Sequence, residues 1–223
     1  MIRFTPIAAL LFGLVTSNLL AGDPKPETRP ITQADSVLAV YTLHHGLGVV
    51  KPAGLIFSAW PDGHVVWSDD RVNGGAPYKS GKIEPKKIAA LLSRFEDDGL
   101  FANKKLNEPH FGPDSSFVTV LVKSGRGQVK MESWHELYEA GGKVVGTKGG
   151  LVPLAGRNRL AALAKEPTEY LHYRLAWSEL RESASRLIPS ESNPVAGKLL
   201  MEEGNLSWEE GAGKAGSAGL DKK

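Results

Sequence analysis

Among the 223 residues there is no cysteine. That excludes disulfides, thiolate nucleophiles, iron–sulfur clusters, cysteine-ligated zinc and any lipid attached through a thiol. Charge of one sign is also scarce: 27 Lys and Arg against 25 Asp and Glu leave a formal +2, too little to argue for nucleic acid or an anionic membrane as a partner. The most apolar stretch, Ile7 to Val15, falls short of the roughly 20 residues a membrane-spanning helix needs. There is no G-x-S-x-G elbow for a serine nucleophile, and no carboxylate pair stands out from the ordinary acidic surface. What is present is apolar content of 41%, enough for one domain burying roughly 70% of its unfolded surface.

The N-terminal pattern reads as targeting. Arg3 precedes the Ile7–Val15 run, then Ser17-Asn18, Leu19-Leu20-Ala21 and the turn-prone Gly22-Asp23-Pro24 follow. This predicts a cleaved signal peptide over residues 1–21, with Leu19 larger than the small residue preferred at its position before the cut. The mature chain is then expected to be secreted or periplasmic, with no membrane span after cleavage. Three prolines among charged residues between Asp23 and Pro30 predict a linker over 22–34. A single α+β domain is expected over 35–208. The glycine, alanine and charge of 209–223 cannot bury enough surface to offset ordering entropy, which predicts a disordered tail.

The fold class expected is α+β: an antiparallel sheet built from β-hairpins, with at least two helices packed on it. In Leu55 to Ser68, two β-prone runs flank Pro61-Asp62-Gly63, where proline presets a turn and glycine takes the left-handed position. Pairing Trp60 with His64 places Leu55, Phe57, Ala59, Val65 and Trp67 on one face. Ile56, Ser58, Trp60, His64, Val66 and Ser68 then lie on the other. A second hairpin joins Phe117–Val122 to Gln128–Trp134, and its register aligns Val118, Val120, Val122, Val129 and Met131. A third is expected over Gly197–Trp208 around Glu203-Gly204. The run Val37 to Leu43 reads as a strand broken by His44-His45-Gly46.

Helices are expected over 85–98 and 168–188. Pro85 suits a first helical position, Ile88, Leu91, Leu92 and Phe95 repeat with helical spacing, and Gly99 supplies a left-handed stop that brings Leu100 to Phe95. In the second, Tyr170, Tyr173, Trp177, Leu180, Ala184 and Leu187 form one stripe. A shorter helix is expected over 158–164. The glycine-rich stretch 141–150 reads as a surface wrap or a short strand at Lys143-Val144-Val145.

Few motifs point to chemistry. His135-Glu136-Leu137-Tyr138-Glu139 lacks the second histidine of the H-E-x-x-H zinc signature and reads as a capped surface turn. Trp60, His64, His110 and Asp114 form the candidate surface, a site only if the 108–114 loop folds over the first hairpin and brings imidazole and carboxylate within hydrogen-bond reach. No catalytic residue, metal ligand or cofactor is assigned. The function expected is a noncatalytic envelope or secreted binding module for a protein or small-molecule ligand. The alternative is a metal-assisted hydrolase using the histidine-rich loops, with His44 and His45 among its candidates.

Overall fold

The computed structural model describes residues 31–32, 36–46, 49–102, 116–202 and 205–210. In chain order the elements are β1 (Ile31–Thr32), β2 (Leu38–Gly46), β3 (Val49–Ala59), β4 (His64–Ser68), β5 (Tyr78–Lys82), α1 (Pro85–Asp97), a 3-10 turn (Leu100–Ala102), β6 (Ser116–Ser124), β7 (Gly127–Ser133), α2 (His135–Glu139), β8 (Val144–Thr147), β9 (Gly150–Pro153), α3 (Arg159–Leu163), α4 (Thr168–Arg186), β10 (Asn193–Val195), β11 (Gly197–Glu202) and β12 (Asn205–Glu210). Seven strands form one antiparallel sheet in the order β10-β5-β4-β3-β2-β6-β7. A β8-β9 hairpin and a β1-β12-β11 sheet complete the α+β architecture.

The first hairpin takes the expected register. Phe57 pairs with Trp67 and Ala59 with Val65, while the Trp60 N–H donates to the His64 carbonyl at 2.9 Å and Gly63 has a φ of 89°. Its inner strand departs from simple alternation. Val40 faces Phe57 but Tyr41 faces Leu55, so Ile56 is the extra residue of a bulge. Ile56 and Phe57 therefore both join the helix-covered core, and Leu55 turns to the opposite face with Trp60 and Val66. This corrects the expected grouping of Leu55 with Phe57 and of Ile56 with Trp60. Neither face is the polar one: Ala39, Tyr41, Leu55, Trp60, Val66, Tyr78 and Leu121 make a second buried cluster, and β11 lies against β3.

The second hairpin pairs Val122 with Val129 through a turn between Ser124 and Gly127, and its expected inward residues face α1 and α4. α1 ends as its sequence predicts, with Gly99 at a φ of 75° and both Phe95 and Leu100 buried. Every residue of the α4 stripe is buried, from Tyr170 to Leu187. Burial of aromatic and aliphatic side chains is the main stabilising term for such a helix.

Strand pairing reaches further than local pattern suggested. β2 continues through His44 and His45 to Gly46, because β3 begins at Val49 and supplies partners for both histidines. β1 falls inside the stretch expected as linker, where Ile31 pairs with Trp208. β12 runs to Glu210, past the expected domain end at 208. β11 and β12 pair antiparallel as the third hairpin requires, with Glu202 opposite Asn205. The expected signal peptide and most of the expected tail lie outside the described residues.

Burial pushes the Tyr41 phenol up to about 12 from 10.0. An unfolded tyrosine therefore ionises first, so the stability that neutral Tyr41 contributes is complete below about pH 10 and is lost as pH rises through about 12. Urea titrations across this window should show wild type losing about 2–3 kcal/mol relative to Tyr41→Phe. Parallel pH profiles for the two proteins would contradict that burial effect.

Candidate functional site

β7 ends in Ser133 and Trp134, and the chain turns directly into α2. Trp134 is 1% exposed and anchors the turn. The five residues of α2, His135-Glu136-Leu137-Tyr138-Glu139, do not form the capped surface turn expected from their sequence. His135 and Glu139 are buried. The imidazole Nδ1 is hydrogen-bonded to Ser133 Oγ at 2.5 Å, and the ring meets Tyr173 and Trp177 edge-on at centroid distances of 6.1 and 6.0 Å. This packing makes the histidine a wall of the site.

Glu139 is the electrostatic centre. Arg174 of α4 donates Nη1 to Oε1 at 2.8 Å and Nη2 to Oε2 at 2.9 Å, a fork on a carboxylate whose side chain is 4% exposed. The Gly146 N–H adds a bond to Oε1 at 2.5 Å, and Arg159 of α3 pairs with Oε2. The glycine-rich stretch, expected as a surface wrap or a short strand at Lys143-Val144-Val145, is the β8-β9 hairpin with its first strand at Val144–Thr147, and Gly146 is where it meets α2. A Cβ at that position would fall 2.6 Å from His135 Cβ and 3.2 Å from Glu139 Oε1, so only glycine lets the backbone amide approach the carboxylate.

Glu136, one turn earlier, is also committed. It accepts from Trp177 Nε1 at 2.8 Å and from Arg181 through Nε at 2.8 and 2.9 Å and Nη2 at 2.5 Å. Arg181 Nη2 donates further to the Arg71 carbonyl at 2.9 Å. That carbonyl is presented by the 69–77 loop, which Asp70 folds by accepting from the Val72 and Asn73 amides, each at 2.9 Å. The backbone bond to Asn73 leads the interactions that hold the Asp70 carboxyl below its ordinary range. The loop is seated on the sheet where Thr42 Oγ1 donates to the Asn73 carbonyl and the Gly75 N–H donates to Leu55 at 3.0 Å.

Between α2, α3 and α4 these residues leave a cavity of about 310 Å³. His135, Glu136, Glu139, Arg159, Trp177 and Arg181 contribute to its lining, with Ala140 and Ser178. Its size is at the lower end for small-molecule sites. The guanidinium of Arg159 is held below its ordinary range, first by burial and then by the neighbouring charge of Arg174. Burial, then the charge of Arg181, does the same for Arg71 despite the opposing charge of Asp69.

The residues singled out from sequence lie elsewhere. Trp60 and His64 do sit as a cross-strand pair, with ring centroids 5.2 Å apart. Trp60 is fully buried, at 0% exposure, and its indole Nε1 has no hydrogen-bond partner among the described residues. His110 and Asp114 fall outside the described residues, and so does their expected approach to His64. Among the described residues no group of three or more His, Asp or Glu is placed to hold a metal ion. Among the larger aromatic side chains Trp60, Tyr78, Trp134 and Trp177 are buried, and Tyr138 is 43% exposed. Sequence reasoning missed Arg159, Arg174 and Arg181. The helical offset of seven from Arg174 to Arg181 matches two turns of one face, but nothing local ties them to α2. Neither family models, curated proteins nor solved structures provide a match to this chain, so its chemistry rests on these residues.

Replacing one member of a buried pair leaves its partner charged in a low-dielectric site. Glu139→Gln should therefore destabilise the protein by about 3–5 kcal/mol in urea titrations. The double variant Glu139→Gln with Arg174→Met should recover part of that loss, and strictly additive effects would show that the two side chains are not coupled.

Proposed function

We propose that the protein is an exported, noncatalytic binding module whose ligand site is the cleft between α2, α3 and α4. The observation that carries this reading is the state of the two cleft carboxylates. Each is already saturated by arginine, Glu136 by Arg181 and Glu139 by Arg174 and Arg159. A general base or a metal ligand needs an available lone pair, whereas a carboxylate forked by guanidinium has its oxygens already occupied by donors. His135 is packed against aromatic rings and bonded to Ser133, an arrangement that fixes its ring. The cleft retains a cavity of about 310 Å³ in which Trp177 and Ala140 stand among polar and charged side chains. Export is supported by Arg3, the Ile7–Val15 run and the turn-prone residues after Ala21.

Metal analysis of protein purified without chelator, together with a panel of chromogenic esters, phosphates and glycosides, separates this reading from a metal-assisted hydrolase. The expected outcome is substoichiometric transition metal and no turnover. Stoichiometric zinc that disappears with His64→Ala or His110→Ala, together with hydrolysis that falls in parallel, would establish the hydrolase instead. N-terminal sequencing of protein recovered from an exporting host should begin near Gly22, and an intact Met1 would sink the export proposal.

A further inference from the structure

Charge in the cleft is unbalanced. Three guanidiniums, Arg159, Arg174 and Arg181, converge on two carboxylates, Glu136 and Glu139. The three cations are not equivalent. Arg174 is 9% exposed at its side chain and makes the full fork on Glu139, while Arg181 is 16% exposed and caps Glu136. Arg159 is 51% exposed and reaches the same Glu139 oxygen that Arg174 Nη2 already holds. If Arg159 leaves, Glu139 keeps three donors, two from Arg174 and one from Gly146. Arg159 is thus the surplus cation of the site.

Its support is equally separable. α3 is five residues long, buries none of them, and is held at its start by the Asn158 side chain accepting from the Leu160 amide at 2.8 Å. A guanidinium on such an element can turn from Glu139 into the cavity without disturbing the core. Also in the lining, Arg181 bonds through Nε and Nη2, and among the described residues its Nη1 has no partner, which leaves it for a ligand.

We propose, resting on the binding-module reading, that the cleft takes a small monoanionic carboxylate with a compact apolar body, gripped by Arg159 as it swings from Glu139 and by Arg181. Charge count sets the anion: one surplus positive charge is neutralised by one negative charge. Geometry sets the carboxylate, since a planar two-oxygen acceptor matches the guanidinium fork. The compact apolar body follows from Trp177 and Ala140 in the lining and from the volume of about 310 Å³. A cationic ligand would meet carboxylates already occupied and a positive surplus.

The test uses the mature protein labelled with nitrogen-15 and follows the indole N–H of Trp177, assigned by Trp177→Phe, with the backbone amides of 135–146. The probes are benzoate, its neutral isostere benzamide, its cationic isostere benzamidine, and inorganic phosphate. Benzoate should give saturable shifts at these positions in the millimolar range usual for a fragment. Arg159→Gln should weaken it roughly tenfold, the effect of one charge-assisted hydrogen-bond partner, and Arg159→Lys should weaken it less. Because the side chain is half exposed, both variants should keep the wild-type amide dispersion. Benzamide or benzamidine binding as well as benzoate would overturn the anion assignment and leave the binding module standing. Phosphate binding more tightly than benzoate would overturn the carboxylate class. Unchanged benzoate affinity in Arg159→Gln would overturn the role of Arg159, and no saturable shift with any probe would overturn both the anion site and the cleft as the ligand site.

Discussion

One buried carboxylate ties together α2, α4 and the β8-β9 hairpin. Glu139 lies on a helix of five residues, too short to persist by itself. Its two oxygens are held by Arg174 from α4 and by the Gly146 amide from β8. Removing charge from water is unfavourable, and the attraction inside repays it only with complete hydrogen bonding. Glu139 meets that condition, so the pair acts chiefly as a registration device. It sets where α2 sits along α4 and how close the β8-β9 hairpin comes.

The seven-stranded sheet makes that registration possible by supplying a rigid floor. α4 presses its stripe from Tyr170 to Leu187 on one face of the sheet, which leaves Arg174 and Arg181 directed at α2. The Tyr173 hydroxyl donates to the Glu132 carbonyl at 2.8 Å and pins the helix to β7, the strand that leads into α2. Trp177 serves both layers: its ring is core, and its indole N–H reaches Glu136. The cleft is accordingly built on regular elements along two of its sides. Its third side, α3, is short and exposed.

Much of the scaffold was legible because its signals are local. Pro61-Asp62-Gly63 sets a hairpin register, Gly99 stops a helix, and the turn at Ser124 to Gly127 sets the pairing of Val122 with Val129. The bulge at Ile56 was hidden for a physical reason. Where both faces of a sheet are buried, Leu55-Ile56-Phe57 is simply apolar, and no polar residue marks the point at which alternation slips. The glycine-rich 141–150 stretch was opaque too, since Gly146 is required by a neighbour and not by its own turn.

The candidate cleft shows the division most clearly. The sequence by itself determined the α+β class, the hairpin registers, the helix stripe and the exclusion of thiol chemistry, since each depends on residue type and short-range period. Only the tertiary structure decided that His135 and Glu139 are buried and Glu136 half-buried, and that their partners lie 35 to 45 positions away in Arg174, Trp177 and Arg181. An ion pair leaves no periodic trace in a chain. Which carboxylate meets which guanidinium is settled by how a helix crosses a sheet, and that crossing depends on packing summed over the whole core.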